Sequence, residues 1–130
     1  MKTLDTNICS YIIRRHPVSV ITRFEDHEDG YFFLSALVVA ELRFGAAKRG
    51  SMRLTEQLED FIAGFPVHPW PKDASRHYAN LRAALERQGQ PIGNMDLLIA
   101  AHALAENAVL VTHNCREFDR VPGLTVENWV

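Results

Sequence analysis

Cysteine is scarce in this sequence. Only Cys9 and Cys115 occur among 130 residues, and neither belongs to a CxxC motif or to a Cys/His finger spacing. A disulfide framework or a cysteine-based structural zinc site is therefore not expected, and both thiols are interpreted as small buried or half-buried side chains. A metal that takes part in the chemistry of this chain should have oxygen ligands.

Long apolar runs are also missing. No segment approaches the roughly 20 consecutive apolar residues that a membrane-spanning helix needs. Lys2 precedes a mixed apolar stretch near the N-terminus, but Asp5, Asn7 and an arginine pair interrupt it, and no small-residue cleavage site follows. We therefore expect neither a signal peptide nor a membrane segment, and the cytoplasm is the expected location.

The sequence also has no excess of positive charge. The sequence has 14 Lys and Arg against 16 Asp and Glu, a formal net charge of −2. Composition alone therefore does not indicate a nucleic-acid-binding protein, although a basic patch can occur on a neutral one. Local basic clusters do occur, at Arg14-Arg15, Lys48-Arg49 with Arg53, Arg82 with Arg87, and Arg116 with Arg120. Any one of them is more simply explained as a solvated helix face.

The apolar residues that are present, 47% of the chain, are enough for a packed core. A length of 130 residues fits one domain, so a single domain is expected over residues 1–130. Short β-like runs alternate with longer helical patterns, which favours an α/β domain with a mainly parallel sheet. Strands are predicted at residues 2–5, 31–34, 67–70, 109–112 and, at a sheet edge, 124–130. The first helix is predicted to be capped by Thr6-Asn7. The second is predicted to begin at Pro17 and to carry Val18, Ile21 and Phe24 at three-residue spacing. Further helices are predicted to begin at Ser35, Ser51, after Pro71 and at Gly93-Asn94.

Asp5 ends the first predicted strand, immediately before a helix. Ligands of open α/β sheets bind outside the carboxyl ends of the strands, so this is a position where function is expected. Taken alone, Asp5 is more simply explained as a cap of the following helix.

Glu41 lies in the apolar segment from Leu37 to Phe44. Apolar side chains are predicted to cover most of that helix, and a buried carboxylate has to be paired, protonated or bound to a metal. A salt bridge to Arg43 or Lys48, or a position at the boundary of an amphipathic face, explains Glu41 equally well.

Asp96 is predicted to lie in the first turn of a helix, where the amide dipoles favour an anion. This electrostatic preference could explain the residue by itself. The apolar sequence that follows, residues 97–101, indicates a buried helix, so Asp96 is expected to face inward at its start.

These three carboxylates can converge on one end of the sheet. Carboxylates held close together repel each other, which raises their pKa values. A divalent cation with oxygen ligands removes the repulsion, lowers the pKa of a water and stabilises negative charge on a phosphoryl oxygen. Phosphodiester hydrolysis requires an activated water and a stabilised phosphoryl charge, so the three carboxylates together predict a metal-dependent phosphodiesterase.

A polar segment follows the strand predicted at residues 109–112. Thr112, Asn114 and Glu117 supply a hydroxyl, an amide and a carboxylate there. Ordinary loop composition explains this clustering as well, but the end of this strand is expected to face Asp5.

Four segments of the chain resemble PIN-domain toxins of VapC type. They are Leu4-Asp5-Thr6-Asn7, Ala40 to Gly45, Asp96 to Ala103, and Thr112 to Phe118 followed by Pro122-Gly123-Leu124. Together they cover nearly the whole chain in the right order, which makes the likeness far more specific than any one motif.

The resemblance implies a three-layer α/β/α fold and a Mg²⁺-dependent endoribonuclease in which Mn²⁺ can substitute. It also implies a toxin held by a VapB-like antitoxin, commonly as a homodimer, that cuts structured RNA such as transfer RNA. Asp5 and Asp96 would be metal ligands, and Glu41 the third acidic member. Thr6, Asn7 and Thr112 would be supporting polar residues. Water activated by the metal and by Glu41 would leave 5′-phosphate and 3′-hydroxyl ends.

One position departs from the family pattern. Many PIN domains have an acidic residue two positions after the threonine, where this chain has Asn114. Glu117 is the nearest carboxylate and is expected to take part in catalysis from one turn further on. One firmly bound ion is therefore predicted, with a second ion that is weak or arrives with RNA. Arg14, Arg15 and Arg116 are hypothesised to contact substrate phosphates.

Three other functions compete with this interpretation. A metal-free ribonuclease would use histidine pairs, but the six histidines form no local pair at a useful spacing. A phospho-accepting receiver domain would have adjacent acids after the first strand and a lysine after a late strand, and no lysine follows Lys72. A degenerate PIN-like module that binds RNA or a partner without cleavage is the remaining alternative.

Overall fold

The fold is built on a sheet of five short strands. The computed structural model describes residues 1–28 and 30–130. Its strands are β1 (Lys2–Leu4), β2 (Phe32–Ser35), β3 (Val67–His68), β4 (Val109–Val111) and β5 (Val126–Glu127). They lie in the order β3-β2-β1-β4-β5, and each neighbouring pair is parallel. The predicted parallel sheet is confirmed, including the edge strand near the C-terminus.

Helices connect and cover these strands. They are α1 (Thr6–Arg14), α2 (Val18–Glu25), α3 (Ala36–Arg49), α4 (Met52–Ala63), α5 (Ala74–Arg87), α6 (Asn94–Ala105) and the single turn α7 (Cys115–Phe118). Helix α1 packs on α2, α3 and α4, while α5 packs on α6. The strands between them are mostly apolar and buried. The chain thus has the predicted α/β class, a parallel sheet flanked by helices in a three-layer α/β/α arrangement.

Helix α3 shows how local sequence fixes an element. The Ser35 hydroxyl accepts a hydrogen bond from the Leu37 amide at 3.2 Å, which caps the N-terminus of the helix. At the other end Gly50 adopts a left-handed conformation with φ of 66°, which glycine reaches without a steric penalty. Both predicted ends of this helix are confirmed.

Two local predictions are wrong. The N-cap of α1 is Asp5, whose carboxylate accepts from the Ile8 amide, and not the Thr6-Asn7 pair. Val18, predicted to share one face of α2 with Ile21 and Phe24, is 71% exposed, because α2 buries Val20 and Ile21 instead.

The strand order creates a crevice. From β1 the chain proceeds to β2 and β3 on one side of the sheet, whereas β4 and β5 lie on the other side. The connections that leave β1 and β4 therefore diverge at the carboxyl ends of these strands, which is where open α/β sheets bind ligands. None of the helices formed by the described residues is both long and apolar enough to span a membrane.

Candidate active site

Asp5 lies at this crevice, directly after β1. Its Oδ1 accepts a hydrogen bond from the Ile8 amide at 3.0 Å, and its Oδ2 accepts one from the hydroxyl of Thr112, the residue directly after β4. Burial raises the pKa of Asp5, the hydrogen bonds from Thr112 and from the start of α1 lower it in part, and the nearby charge of Glu41 raises it further. Asp5 therefore caps α1 and also joins the ends of the two central strands.

Glu41 approaches the same place from α3. Its Oε1 accepts a hydrogen bond of 2.6 Å from the hydroxyl of Thr6, the first residue of α1. The prediction that apolar side chains enclose this part of α3 is wrong, because Ala40 is exposed and Phe44 is 67% exposed. Glu41 itself is half-buried. Its alternative partner Arg43 pairs with Glu59 instead, at 2.8 Å.

Asp96 enters the crevice from the first turn of α6. Its pKa is raised to about 6, first by burial, then by the hydrogen bond and charge of Glu117, and then by the charges of Asp5 and Glu41. A carboxylate at a helix N-terminus would ordinarily be stabilised by the helix dipole. The raised pKa of Asp96 shows that the neighbouring acids and the loss of water outweigh that stabilisation.

One pocket of about 160 Å³ brings these acids together; we call it the acidic pocket. The residues that line it are Asp5, Thr6, Asn7, Glu41, Asp96, Ile99 and Asn114. Among the described residues, no lysine, arginine or histidine forms an ion pair with Asp5, Glu41 or Asp96. The pocket thus concentrates negative charge that the protein itself does not neutralise.

The spacing of the carboxylates limits how a cation can be bound. Oxygen ligands of Mg²⁺ lie about 2.1 Å from the ion, so even opposite ligands are about 4.2 Å apart. In the described part of the chain, no three acidic side chains bring their oxygens within 4.8 Å of one another. Mg²⁺ usually keeps several waters and takes only one or two carboxylates directly. The pocket therefore fits a hydrated divalent cation with at most two direct carboxylate ligands.

Asn114 and Glu117 occupy different places beside Asp96. The Asn114 side-chain amide lies 3.5 Å from Oδ2 of Asp96, and its backbone N–H donates to the Thr112 hydroxyl at 2.9 Å. Glu117 lies in α7 and contacts Asp96 closely enough to raise its pKa, but it is not among the residues that line the acidic pocket. The polar segment after β4 therefore supports both Asp5 and Asp96.

The three predicted phosphate-binding arginines are not all close to the pocket. Arg14 lines a groove that also contains Thr6, Asn7 and Glu41, and its guanidinium lies over the Tyr11 ring. Arg116 is exposed in α7, next to Glu117. Arg15 forms the C-cap of α1, at the opposite end from Asp5, and pairs with Glu25 at 3.4 Å. The structure does not bring Arg15 to the acidic pocket.

Sequence reasoning missed a second group of ionisable residues. His68 in β3, His102 in α6 and Glu106 after α6 meet on a different part of the fold. The four-residue spacing of His102 and Glu106 was the only signal in the sequence, since it places both side chains on one face of a helix. His68 lies 34 residues away and could be placed beside them only by the pairing of β3 with β2.

Comparison with known proteins shows a consistent likeness. A family model described as PIN domain matches residues 2–124. Ribonuclease VapC2 of Rickettsia felis is 41% identical over 128 residues, which is 97% of this chain and 96% of the relative. The tRNA(fMet)-specific endonuclease VapC of Shigella flexneri is 39% identical over 127 residues, 97% of this chain and 96% of the relative.

A solved structure gives the same result. A chain in the crystal structure of VapBC2 from Rickettsia felis, bound to a DNA fragment from their promoter, superposes with a TM-score of 0.90 at 40% identity. The match covers 99% of this chain and 98% of that one. The likeness therefore extends over the whole sheet and all elements that form the acidic pocket.

Proposed function

Because this chain belongs to the PIN domain family, we propose that it is the ribonuclease toxin of a type II toxin–antitoxin pair. The proposed reaction is hydrolysis of RNA phosphodiester bonds, with structured RNA such as transfer RNA as the substrate. The observation that carries the proposal is the meeting of Asp5, Glu41 and Asp96 at one pocket, where none of them has an ion pair with a basic side chain of the described residues. The relatives named as a ribonuclease and a tRNA(fMet)-specific endonuclease support the choice of RNA.

We propose that Asp5 and Asp96 hold Mg²⁺, with Mn²⁺ as a substitute. Their carboxylate oxygens are the ligands that such hard cations prefer, and the pKa of Asp96 is raised first by burial and then by neighbouring acids, whose repulsion a cation would relieve. When bound, the cation supplies positive charge that lowers the pKa of a water and stabilises negative charge on a phosphate. Asn114 stands where many PIN domains have an acidic residue, which supports one firmly bound metal ion rather than two.

The chain's own residues would orient the reacting groups. The hydroxyl of Thr112 and the amide of Ile8 each hold one oxygen of Asp5, so that carboxylate has a fixed orientation. Thr6 holds Oε1 of Glu41 at 2.6 Å, and Oε2 has no partner among the described residues. That free oxygen can accept a proton from the attacking water. Asn7 and Asn114 line the pocket as further polar contacts.

Glu117 has a narrower role in this proposal. It contacts Asp96 and lies outside the set of residues that line the pocket. We therefore propose that it adjusts the charge of Asp96 and the affinity for the cation, rather than contacting RNA. Arg14 and Arg116 remain proposed phosphate contacts, because Arg14 lines a groove that shares Glu41 with the acidic pocket and Arg116 is exposed next to Glu117.

Partners and location follow from the same proposal. The matching Rickettsia felis chain was solved as a VapBC2 complex, which supports a VapB-like antitoxin as the partner of this chain. A homodimer and a cytoplasmic location are proposed with it, since a toxin of this type acts on cellular RNA. Residues 2–127 contribute to one sheet, which supports a single PIN-like domain over residues 1–130.

Expression of the wild type and of Asp5→Asn in parallel tests the proposal. The wild type should arrest growth and, when purified with Mg²⁺ or Mn²⁺, should cut RNA to leave 5′-phosphate and 3′-hydroxyl ends. The variant should do neither, because it loses the charge on which the cation depends. Asp60→Asn, the same change at an exposed position of α4, is the matched control and should behave as the wild type.

Three results would contradict the proposal. Equal toxicity of the wild type and Asp5→Asn would remove Asp5 from the mechanism. Cleavage that persists in EDTA and leaves 2′,3′-cyclic phosphates would indicate histidine acid–base catalysis instead. RNA binding without any cleavage in Mn²⁺ would identify a non-catalytic PIN-like module.

A further inference from the structure

We propose that His68, His102 and Glu106 form a second metal site, selective for a transition metal such as Zn²⁺ and separate from the acidic pocket. One nitrogen of each imidazole and one oxygen of the carboxylate lie within 4.8 Å of one another. In the described part of the chain this is the one group of three such side chains that meets that distance. We call these three residues the histidine cluster.

The cluster joins elements that are distant in sequence. Oε1 of Glu106 lies 2.7 Å from Nδ1 of His68, and Oε2 lies 2.5 Å from Nε2 of His102. The imidazole of His68 stacks on Phe33, with ring centroids 4.3 Å apart and an angle of 9° between the planes. Residues from β3 and from the end of α6 are therefore already positioned around one point before any metal binds.

The donor atoms suit zinc rather than magnesium. Two imidazole nitrogens and one carboxylate are a common three-ligand set for Zn²⁺, with a water in the fourth position. His102 is 1% exposed, whereas Glu106 and His68 keep 25% and 32% of their side chains exposed. The cluster thus has a fixed inner ligand and an outer side that is open to solvent.

Ser35 holds the inner ligand in place. Its hydroxyl oxygen lies 2.7 Å from Nδ1 of His102 and also accepts the Leu37 amide hydrogen at 3.2 Å. When Nε2 of His102 binds a metal, the ring proton resides on Nδ1 and can be donated to the second lone pair of this oxygen. Such an outer hydrogen bond is typical of histidines that bind metals.

Metal binding requires a local adjustment of the three side chains. Neighbouring ligands of tetrahedral zinc, at bond lengths of about 2.0–2.1 Å, are roughly 3.3 Å apart. The contacts of Glu106 are shorter, so its carboxylate has to withdraw by less than about 1 Å, and the two imidazole nitrogens, which lie within 4.8 Å of each other, have to adopt about the same spacing. Glu106 is the C-cap of α6 and partly exposed, which leaves room for that shift. Each histidine binds the metal as a neutral imidazole, so a proton on the ligating nitrogen either moves through solvent to the other ring nitrogen or, where the ring carries two protons, is released to solvent.

The cluster shares no residue with the acidic pocket. It would connect β3, an edge strand of two residues, to the end of α6. Zinc bound there should therefore stabilise an edge of the sheet that has few hydrogen bonds of its own.

Zinc titration by calorimetry tests the proposal. The protein used is the full chain with the substitution Asp96→Asn, so that the acidic pocket contributes little to binding. It is stripped of metal with EDTA, dialysed and titrated with Zn²⁺ alone. One zinc should bind, and His68→Gln or Glu106→Gln in the same background should weaken binding by at least about a hundredfold, since loss of a hydrogen bond that orients a ligand already costs roughly tenfold to a hundredfold. His77→Gln, which changes a histidine of α5 outside the cluster, is the matched control and should bind as the parent does.

Thermal unfolding with and without zinc is a second measurement, which tests the site even where a substitution changes the stability of the protein. Saturating Zn²⁺ should raise the thermal midpoint of the Asp96→Asn protein by roughly 5 °C or more, and should not raise that of the Glu106→Gln double variant. Three results would overturn the proposal: no zinc bound by the Asp96→Asn protein, the same affinity in all four proteins, or equal thermal shifts with and without Glu106. Because the readouts are zinc binding and melting, loss of ribonuclease activity does not affect the test.

Discussion

The acidic pocket and the histidine cluster both bring three ionisable side chains together from separate elements, but their charges differ. In the acidic pocket all three groups are carboxylates, and the charges of Asp5 and Glu41 help to raise the pKa of Asp96. In the histidine cluster the Glu106 carboxylate lies between two imidazoles and has a hydrogen-bond partner for each oxygen. In our proposals the first arrangement takes a hard cation from outside, whereas the second has its charges paired without a metal and offers nitrogen donors to a softer one.

Each region also has a buried hydroxyl that orients one ligand. Thr112 donates to Asp5 in the acidic pocket, and Ser35 contacts Nδ1 of His102 in the histidine cluster. Both hydroxyls lie at the carboxyl end of a strand, where the sheet holds them rigidly. The two regions therefore share a buried hydroxyl that orients one ligand, and they differ in their ligand atoms, which are carboxylate oxygens in one and mainly imidazole nitrogens in the other.

The largest expected effect is that of Asp96→Asn on cleavage. Removing one of two proposed direct ligands should cost several kcal/mol of transition-state stabilisation, on the order of a thousandfold in rate. The change is measured as kcat/KM on an RNA substrate with Mg²⁺, with Asp60→Asn as the control. A loss of less than tenfold would mean that the acidic pocket does not hold the catalytic cation.

Thr112→Val should have the next largest effect. Thr112 is fully buried, and the variant leaves Oδ2 of Asp5 without its hydrogen-bond donor. We expect cleavage to fall roughly tenfold to a hundredfold, because residues that orient metal ligands commonly have effects of this size. Thr112→Ser keeps the hydroxyl and should recover most of the activity; if it is as weak as the valine variant, packing rather than the hydrogen bond is responsible.

The combined effect of burial and neighbouring charges on Asp96 can be measured without metal. The pKa of Asp96 is about 6 in the folded protein and 3.8 as the ordinary value, so ionising it opposes folding as the pH rises from about 4 to above 6. With EDTA at pH 8, Asp96→Asn should therefore be more stable than the wild type, by about 1 kcal/mol after allowance for its partial exposure. Urea unfolding should show this difference disappearing near pH 4.

The histidine cluster should respond in the opposite direction. Glu106→Gln replaces a charged acceptor with a neutral amide between two imidazoles, and should destabilise the metal-free protein by about 1 kcal/mol at pH 8. Stabilisation by both Asp96→Asn and Glu106→Gln in the same urea experiment would contradict the assigned difference between the two regions.

The smallest effect concerns the arginines of α1. Arg14, the last residue of α1, lines a groove that also contains Glu41, whereas the adjacent Arg15 pairs with Glu25. Arg14→Ala should raise KM for RNA roughly fivefold at low salt, the equivalent of one lost phosphate contact of about 1 kcal/mol. Arg15→Ala should change KM by less than about twofold, and the reverse order would contradict Arg14 as the phosphate contact.

Most of the fold and part of the site could be predicted from the sequence. The apolar strands and the caps at Ser35 and Ser51 are local signals, and the structure has both helices where they were predicted. Asp5 could be located because it follows the first strand directly. The dual role of its carboxylate depends on β4 lying beside β1, a pairing that no local pattern specifies.

Glu41 and the histidine cluster show what the sequence could not supply. The exposure of α3 near Phe44 depends on which neighbours cover the helix, so its apolar composition was misleading. The position of His68 depends on a two-residue edge strand, whose register with β2 is set by tertiary packing. Contacts of this kind become predictable only when the strand order is known.

The hydrogen bond between Thr112 and Asp5 connects residues 107 positions apart. A growing polypeptide can form α1 early, with Asp5 as its cap, but it cannot complete the acidic pocket until β4 has been synthesised and inserted beside β1. Partly translated chains therefore lack an assembled acidic pocket until synthesis is nearly finished.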